Sequence, residues 1–333
     1  MELTYTDRAG NDLGALDFAS ADFAWGADEN DFTVKLSPAS GIPQDKAYVY
    51  CEGTDIGGIV RGDESDGRGS LTITGNTWTG ELDAHTLMPP TGQAYFRVSG
   101  DLNECIRKLL SQLGMTWLFS APNQKTGIQV NHTFKGSQDS AQQDTGRYMG
   151  GWAALWQMLI ACNAKVSMRW DPATKRVIIS GSHRGDYTDN EELAASKAIV
   201  SVKRTTAPNH LICLGKGEMA ARTVVHIYAD KNGNISTKQP LFGRDEISDV
   251  YDNSSAEDAA ELRSDGIAKL KELREDAQEV SVSAKDNVDL DVGDLVGGTD
   301  TATGVSAQAI ITKKVVTFDG QNATADYETA IRS

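Results

Sequence analysis

The chain has 333 residues, enough for two or three domains with their own cores, and its 39% apolar and 24% charged content is that of a folded protein. Its net charge of −15 at pH 7 argues against gripping a nucleic-acid backbone through a basic face, because that mode needs clustered Lys and Arg to displace counterions. A surface past which nucleic acid slides without sticking stays compatible with that charge. No run approaches the roughly 18 apolar residues of a membrane-spanning helix, and Met1–Asp7 has neither a basic nor an apolar region, so no signal peptide is expected.

Residues 1–98 read as β. Phe32–Leu36 and Lys46–Glu52 alternate polar and apolar residues, Gly57-Gly58 suggests a turn or bulge, and Gly69–Gly75 is a further short strand. Trp78-Thr-Gly-Glu-Leu82 and Leu87-Met-Pro-Pro90 follow, and the proline pair ends any regular ladder. Residues 99–196 change to an α/β pattern. Leu102, Cys105, Ile106, Leu109, Leu110 and Leu113 lie on one face of a helix that Gly114 closes. Gly151–Asn163 is apolar nearly all round and predicts a buried helix, with Trp152, Leu155, Trp156 and Leu159 as packing groups. Ala164–Trp170 and Lys175–Gly181 predict two strands joined across Asp171-Pro172. The polar stretch 136–146 reads as an exposed loop.

Residues 197–333 return to β. Asn209–Tyr228 contains a strand, a glycine-rich bend and a second strand, and Asp230–Asn234 closes a hairpin. Ser254-Ser-Ala-Glu257 has capping-box spacing and predicts a helix over 255–274, with Ala259, Leu262, Gly266, Leu270 and Leu273 on one stripe. Glu279–Ala284 alternates, Gly293-Asp294 reads as a turn feeding a strand, and Asp319-Gly320 marks a terminal hairpin. The whole predicts an α+β chain, mainly β, in three segments: 1–98, a 99–196 insert, and 197–333 carrying one helix.

No constellation for catalysis, metal or cofactor binding stands out. Asp230-Lys-Asn-Gly-Asn spaces oxygen donors like a calcium loop, but Ile235 and Leu241 occupy the positions where an EF-hand needs Gly and Glu, so a hairpin turn is the better reading. Asp286, Asp289, Asp291 and Asp294 alternate with Val288, Leu290 and Val292 as the wet face of an irregular strand. Gly215-Lys-Gly-Glu218 lacks the spacing of a phosphate cradle. His85, His132, His183, His210 and His226 show no metalloprotease spacing, and no Gly-x-Ser-x-Gly elbow occurs. Cys51, Cys105, Cys162 and Cys213 are scattered and read as reduced, buried thiols. A glycosidase-like carboxylate pair among the many acids is not identifiable from spacing, and the acids read as solvated surface.

The pattern Asn209-His-Leu-Ile-x-x-Gly-x-Gly-Glu218-x-x-x-Arg222, then the capped helix, then Val292-Gly-Asp294-x-Val296-Gly-Gly, Gly304-Val and the Lys313-Lys-Val-Val hairpin resembles the siphophage tail proteins grouped as Gp37-like. Gly75-Asn-Thr-Trp-Thr-Gly-Glu-Leu82 with Pro89-Pro90-Thr-Gly92 resembles the same family's N-terminal half. The resemblance implies β-barrel domains of phage tail-hub type with an inserted α/β region. It further implies a homotrimeric ring at the tail tip of the virion, joining the tail tube, tape measure or distal tail protein to receptor-binding or fibre proteins. It implies no catalytic residues, no cofactor and no specific nucleic-acid contact. A cell-wall hydrolase and a host-glycan-binding tail protein are the competing expectations. The peptidase or glycan-binding region that many relatives carry after the hub is not expected before Ser333.

Overall fold

The computed structural model describes residues 2–37, 41–67, 69–135, 147–188, 198–275, 277–284, 290–299, 306–320 and 322–331. Contacts divide the chain into two compact units. One holds Met1–Val200, Val282–Gly297 and Gln308–Ala330, and the other holds Ser201–Ser281, Gly298–Ala307 and Ile331–Ser333.

The first unit is built on an antiparallel sheet. Its N-terminal strands are β1 (Thr4–Thr6), β2 (Asp12–Ala15), β3 (Phe18–Gly26), β4 (Asp31–Leu36), β5 (Tyr48–Tyr50), β6 (Gly57–Ser65) and β7 (Leu71–Thr77). They lie in the order β3-β4-β7-β6-β5-β1-β2. On the other side of β3 comes the strand Ser306–Asp319, with Lys313 opposite Gly26 and Asp319 opposite Ser20, and then Asn322–Ile331. The two ends of the chain therefore share one sheet. In β4, Phe32, Val34 and Leu36 point inward and Asp31, Thr33 and Lys35 outward, the alternation expected of a strand with one wet face. Phe23 stacks on Phe32 with ring centroids 5.1 Å apart and meets Phe318 edge-on at 6.2 Å.

Leu3, next to β1, shares this core with Phe318, so the sheet is strongly curled. Among the described residues its hydrogen-bonded order is nevertheless open, ending at β2, whose four residues are all exposed. The expected closed barrel is not formed by these pairings. Gly57-Gly58 is also not a turn. It begins β6, and a Cβ on Gly57 would stand 2.5 Å from the Trp78 ring, so the glycine serves close packing. Trp78 to Leu82 departs from the β reading as well, forming helix α1 (Trp78–Asp83) with Trp78 through Leu82 buried. A segment enclosed on all sides carries no periodic signal, and here tertiary packing decides.

Residues 97–183 carry the predicted alternation of helix and strand. The strand Arg97–Asp101 pairs with Gln129–Thr133 and leads into helix α2 (Leu102–Gln112). Asp101 caps α2 by accepting the Asn103 N–H at 3.1 Å, and it also accepts the N–H groups of Thr126 and Gly127 at 2.9 Å. Helix α3 (Gly151–Ala161) and the antiparallel strands Ala164–Asp171 and Arg176–His183 complete it. Asp171 closes the connecting turn by accepting from Ala173 N and the Thr174 hydroxyl. Contrary to the all-round burial expected of α3, Ala153 and Ile160 are exposed and Trp156 is half-buried.

In the second unit, strands Ile235–Ser236, Val224–Ala229, His210–Leu214 and Ser248–Asp252 form a sheet in that order. Helix α4 (Ala259–Glu275) covers Leu211, Cys213 and Ile227 with Leu262 and Leu270. It begins later than the capping-box spacing suggested, because Asp258 caps it by accepting the N–H groups of Ala260 and Glu261 at 2.8 and 2.9 Å.

Candidate functional site

The acids read as a wet face, Asp291 and Asp294, are the centre of a partly buried ion network inside the first unit. The turn Leu290–Asp294 is tightened by the Asp294 N–H, which donates to the Asp291 carbonyl at 3.1 Å, and by Gly293 at φ +102°. Asp294 is fully buried, with Oδ1 accepting the Gly185 N–H at 2.6 Å and Oδ2 accepting the Asp291 N–H at 2.9 Å. Lys165, on the strand Ala164–Asp171, places Nζ 2.9 Å from both Asp291 Oδ2 and Asp294 Oδ2. Lys314 donates to the Leu290 carbonyl at 2.8 Å, reaches Asp291 Oδ1 at 3.5 Å, and lies over the rings of Trp25 and Tyr327. Asp55 accepts the Met168 N–H at 3.2 Å and faces Arg169 Nε at 3.5 Å.

Lys165, Lys314 and Arg169 thus answer Asp55, Asp291 and Asp294. Burial pushes the Asp291 carboxyl up, but the Lys165 hydrogen bond and the Lys314 charge outweigh it and hold it below the ordinary range. Burial lowers Lys165 in turn, and its bonds to Asp291 and Asp294 reverse that and raise it. Asp55 is the exception. Burial and the Asp291 charge push it up to about 6. Chemically the arrangement is a clamp, because each carboxylate is matched by a cation or by backbone N–H groups. It fastens the strand Ala164–Asp171 to the segment after residue 289 and to the sheet. A second pair has the same character. Arg61 on β6 binds the fully buried Glu81 of α1 through both carboxylate oxygens, and Asn76 donates to Glu81 Oε1 at 3.1 Å.

The second unit brings together two histidines that sequence spacing kept apart. His210 Nδ1 donates to Glu246 Oε1 at 2.6 Å, and His210 Nε2 lies 2.8 Å from His226 Nδ1. The register explains it: Ile212 opposes His226, so His210 and His226 share one face of the hairpin. Cys51, Cys105 and Cys213 are buried free thiols, whereas Cys162 is half-buried. Asp230 closes its hairpin turn by accepting the Asn232 and Asn234 N–H groups, and Gly215–Glu218 is a bend held by Gly215 N–H to the Thr223 carbonyl. Asp286, Asp289 and the loop 136–146 lie outside the described residues. Among the described residues, no three or more His, Cys, Asp or Glu side chains are arranged to hold a metal ion, and no helix is long and apolar enough to cross a membrane.

No family model and no curated protein matches the sequence. In structure the chain is similar to the 43 kDa tail protein of prophage MuSo2 from Shewanella oneidensis. The TM-score is 0.51 at 12% identity, over 99% of this chain and 97% of that one. It is also similar to prophage tail protein gp18 from Listeria monocytogenes EGD-e, at TM-score 0.47 and 12% identity, over 100% of this chain and 95% of that one. A chain of the phage P2 baseplate gives 0.46 at 9% identity, over 99% and 98%. At such identities the MuSo2 likeness shows a shared fold.

Proposed function

We propose that this chain is a structural, non-enzymatic component of a phage tail and forms the hub at the tail tip. In this reading it is a homotrimeric ring that joins the tail tube and distal tail protein to tip or fibre proteins and lets the genome pass. The observation that carries it is the end-to-end likeness in fold to the MuSo2 tail protein, which spans nearly the full length of both chains. The ion network supports it, since a ring that transmits force between tube and fibre needs its inserted segment fixed to its sheet. The exposed edge strand β2 supports it too, as a place where neighbouring copies complete a closed wall. The net charge of −15 suits a lumen that repels the passing genome.

Immunogold electron microscopy of virions with antibodies against this chain tests the reading. Label at the end of the tail distal to the capsid is expected. Label on the capsid, or on no part of the virion, would overturn it.

A further inference from the structure

Helix α3 is apolar nearly all round, and such a helix is normally enclosed. Here one stripe of it lines a cleft of about 400 Å³ that nothing in the tail-hub reading uses. The volume lies in the range of small-molecule sites. Trp152, Trp156, Ile160 and Ala27 give it an apolar lining, to which Gln157 and Asp83 add polar groups. The two indoles are tilted by 32° with centroids 6.0 Å apart, which makes an aromatic corner. The Trp152 ring is fixed in place because its Nε1–H donates to the Gly26 carbonyl at 2.7 Å.

The polar groups of the cleft select the ligand. Gln157 is engaged at both ends of its amide, donating to the Lys135 carbonyl at 3.0 Å and lying 3.1 Å from His132 Nε2 through Oε1. Asp83 gives one oxygen to the Ala153 N–H at 3.3 Å and has no cationic partner among the described residues. Beside Ala27 in the chain, Asp28 and Glu29 share Lys313 with Glu328, three carboxylates on one ammonium, so the approach is negative. A sugar would need several hydrogen-bonding groups in a ring, and the cleft offers the second Asp83 oxygen and only what remains of the Gln157 amide, one N–H and one lone pair. A primary ammonium brings three N–H donors that the same oxygen cannot satisfy. A quaternary ammonium has no donors, packs against aromatic faces and is neutralised by one carboxylate.

We propose that this cleft binds a quaternary ammonium headgroup, with the indole of Trp156 against its methyl groups and the Asp83 carboxylate as counter-ion.

The test is titration calorimetry of the full chain with choline. The controls are neohexyl alcohol, which has carbon in place of the charged nitrogen, and Nα-acetyl-lysine methylamide, which carries a primary ammonium. Saturable choline binding is expected, with both controls weaker by at least about tenfold. Asp83→Asn keeps an acceptor for the Ala153 N–H, and Trp156→Phe keeps an apolar ring. Each is expected to weaken choline binding by roughly tenfold while leaving the circular dichroism spectrum unchanged. Absence of saturable binding would overturn the proposal, as would equal binding of either control. Undiminished choline binding by both folded variants would also overturn it.

Discussion

Asp55 sits where burial and the neighbouring Asp291 carboxylate both disfavour its charge, and its pKa is pushed up to about 6 from an ordinary 3.8. Between those two values the folded chain holds a proton that the unfolded chain has released, so this group adds stability as pH falls through 6 and loses it as pH rises. Asp55→Asn removes the penalty. It is expected to stabilise the first unit by about 1–3 kcal/mol near pH 7.5, with the gain shrinking towards about pH 4.5, as measured by thermal unfolding at both values. A variant less stable than the parent near pH 7.5 would contradict this. Asp291 has the opposite sign: its depressed pKa gives stability that is present above 3.8 and lost on further acidification. Lys165→Met leaves the buried Asp294 without its cation and is expected to cost roughly 3–5 kcal/mol. Adding Asp294→Asn should recover part of that loss. Amide exchange along Ala164–Asp171 reads both, and a double variant no better than the single one would show that charge is not the cause. Neither effect is legible in the sequence. Lys165 and Asp294 lie far apart in the chain, and the alternation around Asp291 resembles that of a solvated strand until the turn folds Asp294 inward.

At the scale of elements, the local signals that carried were those with a local cause. Gly114 as the residue that closes α2, here at φ +70°, the Asp171-Pro172 turn and the Asp230 hairpin turn are written in a few adjacent residues, and the structure has each in place. Gly266 is another case. Its position on the apolar stripe of α4 marks it as a contact, and a Cβ there would stand 2.4 Å from Cys213 Sγ and 2.6 Å from Ile227 Cδ1. Gly266→Val therefore forces α4 away from its sheet and is expected to destabilise the second unit by roughly 1–3 kcal/mol in urea unfolding. An unchanged midpoint would mean the helix is not held there. What failed were elements defined by their surroundings. Helix α1 has no periodicity because it is enclosed, and α3 has an all-apolar sequence while one of its stripes faces a cleft. The pairing of His210 with His226 follows from strand register and not from spacing.

At the scale of the molecule, the sheet of the first unit takes strands from both ends of the chain, with β3 bound to Ser306–Asp319. Such pairing must wait for nearly the whole chain to be present, so folding of this unit is expected to be slow compared with that of locally connected domains. The mainly β class was readable from alternation and turn residues. Closure into a barrel was not, because it depends on which edges find partners, and β2 leaves one edge exposed. The hub account asks that edge to be used between copies. The measurement that tests it most directly is a cryo-electron microscopy reconstruction of the virion tail tip, with this chain of 35.8 kDa fitted to the density. The account predicts three copies around the tail axis, enclosing a lumen. A single off-axis copy, or a tip in which the chain is absent, would contradict it.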